Sequence, residues 1–111
     1  MAKPTKQVVL TTTIKATGAV VANRFVTYAG VQAKADEKIY GVSPVDAEAG
    51  NFMPVEIIGI ALVEAGGALA AGDEVSADAQ GCAVKAGSGK VAGTVCSAAA
   101  AGELVRVFLK G

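Results

Sequence analysis

The side chains able to do chemistry are few, and their spacing is poor for it. The chain has no histidine, which removes Ser-His and Cys-His nucleophile pairs and any imidazole-based zinc site. Adjacent carboxylates occur twice, as Asp36-Glu37 and Asp73-Glu74. Neighbours on an extended chain point to opposite faces, so neither pair can share acid–base work. Both sit beside turn signals and read as solvated turn residues. Asp46-Ala47-Glu48 and Asp73-Glu74 offer oxygens to a weakly held Ca²⁺, but no EF-hand spacing surrounds them. Gly87-Ser88-Gly89-Lys90 falls short of a phosphate loop: the G-x-x-x-x-G-K-[ST] spacing is missing, and no helical pattern follows to lend a dipole. It reads as a hairpin turn. The residues thus predict no enzyme, with no catalytic, cofactor-binding or metal-binding residue and no small-molecule substrate.

Two cysteines, Cys82 and Cys96, lie in apolar, strand-like stretches without a CxxC spacing. They make no disulfide framework; a single pair is sterically open, but buried free thiols of a protein assembled in a reducing cytoplasm are the favoured reading. No apolar h-region follows Met1-Ala2-Lys3-Pro4-Thr5-Lys6, so the sequence predicts no signal peptide. No apolar run of about 18 residues is present to span a membrane.

The 111 residues, 52% of them hydrophobic and only 5% aromatic, include 23 Ala, 16 Val and 14 Gly. One domain is expected at this length. Small side chains each bury little area, at roughly 0.8 kcal/mol per CH₂, against an ordering cost on the order of 1.5 kcal/mol per residue. A lone monomer would have a thin core, and subunit association is the natural remedy. Phe25, Tyr28, Tyr40, Phe52 and Phe108 are expected to anchor that core.

Ten acidic and ten basic residues cancel, which argues against nucleic-acid binding through bulk charge. Their distribution is uneven. Residues 1–35 hold five basic residues and no acid, residues 36–84 hold nine acids against Lys38, and Lys85 onward holds four basic residues against Glu103. Such segregation can bring basic and acidic patches of neighbouring subunits together, or aim a basic arm at an acidic surface.

The elements that carry these residues read as strands. Residues 1–7, with Pro4 and two lysines, read as a flexible arm, and residues 8–111 as a single β domain. Val8 to Ile14 is β-branched almost throughout. Glycines then punctuate the chain every few residues, with Val- and Ile-rich segments between them, as an all-β barrel or sandwich requires. The Ala98–Ala101 run has helix propensity, but Gly102 stops it after about one turn; at most one or two short helices are expected.

An internal repeat organises the domain, with pseudo-repeats at about 16–59 and 65–111. Gly41 to Gly59 and Gly93 to Gly111 span equal lengths and share Gly, Ala, Ala, Gly, Val and Gly at the same offsets. Gly18 to Thr27 echoes Gly67 to Ser76. Two copies are too few for a solenoid; two half-units closing one core fit better. Asn23-Arg24 and Gly72-Asp73 supply matching turns, because Asn and Gly tolerate φ > 0. In the last strand Val105, Val107 and Leu109 alternate with Leu104, Arg106, Phe108 and Lys110, which suits one buried face.

Gly67-Ala-Leu-Ala-Ala-Gly72-Asp73-Glu74-Val75, then Gly93-Thr-Val, then Ala98-Ala-Ala-Ala-Gly102-Glu103-Leu-Val105-Arg106-Val107 resembles tailed-bacteriophage capsid decoration (cement, head-stabilising) proteins. Gly59-Ile-Ala61-Leu-Val63-Glu-Ala65 is similar to that family's central segment, and the resemblance covers most of residues 16–111. It implies a compact β-fold, often a homotrimer, on the outer capsid surface of the virion, clamping neighbouring major capsid subunits. It implies no cofactor, nucleic acid or membrane. On that reading Ala2, Lys3, Pro4, Thr5, Lys6, Gln7, Val8 and Val9 are the expected capsid contacts, within a contact region of residues 2–14. Arg24, Asp73, Glu74 and Arg106 are the expected subunit interface. The alternative is a biotinyl- or lipoyl-like carrier, or another small β binding domain, since Ala-Gly-Asp-Glu-Val also resembles the turn of those carriers; Lys85 and Lys90 would be its modified lysines. A secreted adhesive β-sandwich is a third possibility, against which the missing signal peptide weighs.

Overall fold

The β-branched stretch read as the first strand is one: β1 runs Gln7–Lys15. The computed structural model describes residues 5–35, 37–87 and 90–110. Expectations that fall on Ala2, Lys3, Pro4, Asp36, Ser88, Gly89 and Gly111 lie outside the described residues. Seven further strands follow: β2 Arg24–Val26, β3 Gly41–Ser43, β4 Phe52–Glu64, β5 Glu74–Ala77, β6 Ala83–Lys85, β7 Gly93–Val95 and β8 Leu104–Lys110. Among the described residues no helix occurs, so the fold is all-β.

The strands form one sheet in the order β2-β3-β4-β8-β7-β5-β6, with β1 added to β4, and every strand pair is antiparallel. Ala65, just past β4, bridges Ala83 of β6, and the Gly66 amide donates to the Ala83 carbonyl. The sheet therefore returns on itself as a nearly closed barrel. β1 and β8 both pair with Ile58–Ile60 of β4 and so lie along its opposite edges. The hairpin expected at Gly87–Lys90 falls in part on residues outside the described ones, and its flanking strands β6 and β7 do not pair with each other among the described residues. Val75 of β5 pairs with Lys85 of β6 and with Gly93 of β7, so β5 lies between β6 and β7.

Two half-units are visible bond by bond. The Val20 and Ala47 amides each donate to the other's carbonyl, at 2.8 and 2.9 Å; Leu69 and Ala99 do the same at 2.9 and 3.0 Å. The Asn23 amide donates to Ser43 at 2.7 Å, and the Gly72 amide to Val95 at 2.8 Å. Tyr40 donates to Val26 as Ala92 does to Val75. Each first-half donor or acceptor maps onto its second-half counterpart by the two sequence offsets of the repeat. Asn23 (φ 63°) and Gly72 (φ 91°) take the left-handed turn conformation in both copies. Where residue types differ, as at Asn23 and Gly72, the backbone bonds are kept.

The core is as small-chained as the composition implies. The two clusters of buried side chains are mostly Val and Ala, with Phe25, Met53, Leu69 and Leu109 as the larger members. The expectation that all the aromatics anchor this core is overturned. Phe25 is fully buried, but Phe52 is 72% exposed, Tyr28 59% and Phe108 41%, and Tyr40 is half-buried. Sheet geometry explains Phe108: in β8 it shares a face with Arg106 and Lys110, while Val105, Val107 and Leu109 fill the barrel.

Candidate interaction surface

No group of three metal-ligating side chains gathers among the described residues. Asp46 receives the Ala22 amide at 2.7 Å and Asp73 the Ala70 amide at 2.9 Å. These carboxylates cap turns. Cys82 is buried and Cys96 half-buried, both as free thiols; the expectation of two buried thiols thus holds for Cys82 only. Burial pushes the Cys82 thiol above its ordinary pKa, and the carboxylate of Asp78 adds to the rise. Lys85 is the last residue of β6, and Lys90 lies between β6 and β7 and lines a cleft.

What the molecule offers instead is surface, and β1 offers most of it. None of its residues is buried. It pairs with β4 along one edge, and among the described residues nothing pairs with its other edge. A free edge of this length is a template for strand addition. The register slips twice, between Val8 and Leu10 and between Leu10 and Thr11. Val9 is the extra residue on β1 and Ile57 the extra residue on β4. Gly59 makes the first bulge possible: its φ of 113° suits glycine, and a Cβ there would collide with the Gln7 carbonyl and lie 2.7 Å from the Val9 amide. The bulge throws Val9 outward, 78% exposed.

The residues ahead of β1 are anchored. The Lys6 ammonium meets the Glu56 carboxylate at 2.8 Å, and Glu56 is only 6% exposed. The Arg106 Nε donates to the Thr5 carbonyl at 2.8 Å. Thr12 and Tyr40 share a 2.8 Å hydroxyl hydrogen bond that ties the strand to the barrel wall. The expected flexible arm of residues 1–7 is therefore shorter where it is described. Thr5 and Lys6 are held by side chains, and Gln7 already belongs to β1.

Of the four residues expected at a subunit interface, Arg24, Asp73 and Arg106 make hydrogen bonds within the chain. Arg24 works inside the chain, donating to the Gln80 carbonyl at 2.8 Å and to Glu64 at 3.2 Å, with its Nε unpaired among the described residues. Arg106 holds Thr5 and Asp73 caps its own turn. Glu74 is exposed and enters the rim of a cleft. That cleft, about 290 Å³, was not foreseen. It is lined by Lys38, Lys90 and Lys110, by Tyr28, Tyr40 and Phe108, and by the single acid Glu74. The Lys38 ammonium lies 5.5 Å from the centre of the Tyr28 ring, which packs against Tyr40 at 4.6 Å. Three of the aromatics expected in the core, Tyr28, Tyr40 and Phe108, line it instead, and they were its signal in the sequence.

Among the described residues, the barrel presents an open edge strand and exposed aromatics. Residues 3–110 match the phage cement protein family. The chain belongs to that family, a class of bacteriophage structural proteins associated with the capsid of the virion. Among solved structures, the head fiber gp8.5 N base in bacteriophage phi29 is similar, with a TM-score of 0.76 at 23% identity over 90% of this chain and 92% of that one. At this identity the likeness speaks to the fold alone. The curated proteins contain no match.

Proposed function

We propose that the chain binds the outer surface of a phage capsid as a homotrimer and stabilises the shell by clamping neighbouring major capsid subunits. The observation that carries this reading is the outer edge of β1, unpaired among the described residues, none of whose residues is buried and whose bulge presents Val9. An extended capsid segment added to this edge would gain backbone hydrogen bonds, and Val9 would supply an apolar anchor. Ala2, Lys3 and Pro4 precede a fixed point at Thr5 and Lys6, so the contact runs from Ala2 to Val9 and on along β1. A core this poor in large side chains gains from subunit association, which supports the trimer. With zero net charge, nothing favours a nucleic-acid partner. Synthesis in the host cytoplasm fits the free thiols.

The test is co-sedimentation with empty, expanded capsids. Deleting residues 2–7 should leave a folded protein that no longer decorates them. Full decoration by that truncation, at the stoichiometry of the intact chain, removes the arm and the leading end of β1 from the contact.

A further inference from the structure

The cleft lies on the internal symmetry of the barrel. Lys38 and Lys90, Gly41 and Gly93, and Ile57 and Leu109 are counterparts in the two half-units, and all of them line it. Three ammonium groups against one carboxylate make it cationic, and the tyrosines and Phe108 make it apolar. Such a site selects a projecting segment that carries both a carboxylate and an exposed apolar side chain.

The chain itself carries that segment. Residues 48–52 are exposed without interruption, Phe52 reaches 72% and Val45 42%. An added Cβ at Gly50 would meet nothing within 4 Å, while the Gly50 amide on the Ala16 carbonyl and the Ala16 amide on the Asn51 carbonyl, both at 2.8 Å, hold the loop's backbone so that its side chains project from a fixed frame. The Glu48 carboxylate has no hydrogen-bond partner among the described residues, whereas its neighbour Asp46 is spent on the Ala22 amide. The counterpart loop is less suited: Glu103 is bound to the Ala100 amide, and Leu104 is 37% exposed. Across β1, Lys15 pairs with Phe52, so the loop also brings a cation that Glu74 complements.

The loop cannot reach its own cleft. Phe52 is the first residue of β4 and Ile57, in the cleft, is five residues further along the same strand, about 16 Å away at about 3.3 Å per residue. A neighbouring copy has no such restriction.

We infer that the cleft lined by Lys38, Lys90 and Tyr40 receives the Val45–Phe52 loop of a second copy, giving a head-to-tail seam that closes as a ring. The inference rests on the homotrimer proposed above and names the surfaces that build it. A heterologous contact of this kind uses two different patches, so each can be broken separately. A nucleic acid is a poorer occupant, because Glu74 would face its phosphates.

Light scattering after size exclusion reads the seam. The intact chain should run as a trimer. Lys38→Ser/Lys90→Ser, with a broken cleft, and Glu48→Ser/Phe52→Ser, with a broken loop, should each run as monomers, weakened by about 30-fold or more. Mixed together, the two variants hold one sound cleft and one sound loop between them, and should give a heterodimer and nothing larger. An intact chain that is monomeric or a simple two-fold dimer, a trimer that survives either double substitution, or a mixture that stays monomeric would each overturn the inference. Tyrosine emission gives a second reading on the intact chain, should a variant fail to fold. Both tyrosines line the cleft and there is no tryptophan, so dilution through dissociation must change the emission; an unchanged signal also overturns the seam. A monomer that still decorates capsids removes the seam and leaves the capsid reading standing. A monomer whose decoration is lost on Lys38→Ser/Lys90→Ser assigns the cleft to the capsid instead.

Discussion

Gly41 and Gly93 occupy one position in the two half-units and meet the same obstacle. A Cβ on Gly41 would collide with the Glu56 carbonyl and lie 2.7 Å from Val55 Cγ1; a Cβ on Gly93 would lie 2.6 Å from both the Phe108 carbonyl and Val107 Cγ1. These glycines let the short strands β3 and β7 lie directly on β4 and β8. Because the obstacle includes backbone, it cannot move aside as a flexible side chain would. Gly41→Ala and Gly93→Ala should each destabilise the fold by about 1–3 kcal/mol, read as a lowered urea midpoint with unchanged slope. Gly50→Ala meets no atom but has a φ of 95°, so its cost should be smaller and purely conformational, about 1 kcal/mol.

The repeat was legible because its marks are backbone requirements. Gly41 and Gly93 need close approach, and Asn23 and Gly72 need the left-handed region, so the residue types betray the geometry. The alternation of Leu104–Lys110 likewise named the buried face of β8, and it already set Phe108 beside Arg106 and Lys110. Treating Phe108 as core ignored that alternation in favour of residue size. The open edge of β1 was not legible. Val8 to Ile14 announces a strand, but pairing partners are a tertiary fact, and nothing local tells an edge from an interior position. The cleft was hidden for a related reason: Lys38 and Lys90 become neighbours only when the two halves close.

Lys6 and Glu56 join the segment ahead of β1 to β4 through an ion pair in which the acid is buried and the base is not. Lys6→Met leaves the Glu56 carboxylate without its partner, at a cost of about 1–2 kcal/mol for a charged hydrogen bond that is partly open to water. Glu56→Gln in that background should recover part of the loss, since a neutral amide is cheaper to bury unpaired. A double-mutant cycle by chemical denaturation measures the coupling. Independent costs that simply add would show that the pair does not hold the segment.

The two thiols should react at different rates. Cys82 is buried and its pKa is raised by desolvation and by Asp78, so little thiolate is present and little of that is reachable. Iodoacetamide should label the half-exposed Cys96 first, with Cys82 following only on unfolding. The raised pKa also carries a sign for stability. The folded state favours the neutral thiol, so its contribution is full below the ordinary cysteine pKa and is lost as the pH rises through the folded value. Cys82→Ser should flatten the alkaline loss of stability. Peptide mapping after timed alkylation decides the order of labelling.

Val9 and Gly59 meet at one bulge, yet substitutions there should separate folding from docking. Gly59→Ala forces a Cβ into the Gln7 carbonyl at a positive φ, so β1 must shift or detach from β4, at about 1–3 kcal/mol. Capsid binding should weaken with it, because the edge is displaced. Val9→Glu changes a side chain that already lies in solvent, so the unfolding free energy should change by no more than ordinary surface substitutions do, about 0.5 kcal/mol. If the bulge exists to present Val9, decoration of expanded capsids should nonetheless fall by about 10-fold or more, as for the loss of an apolar anchor in an otherwise intact contact. Unchanged decoration by a stable Val9→Glu protein would mean that the bulge serves the barrel alone, and that the contact lies elsewhere along β1.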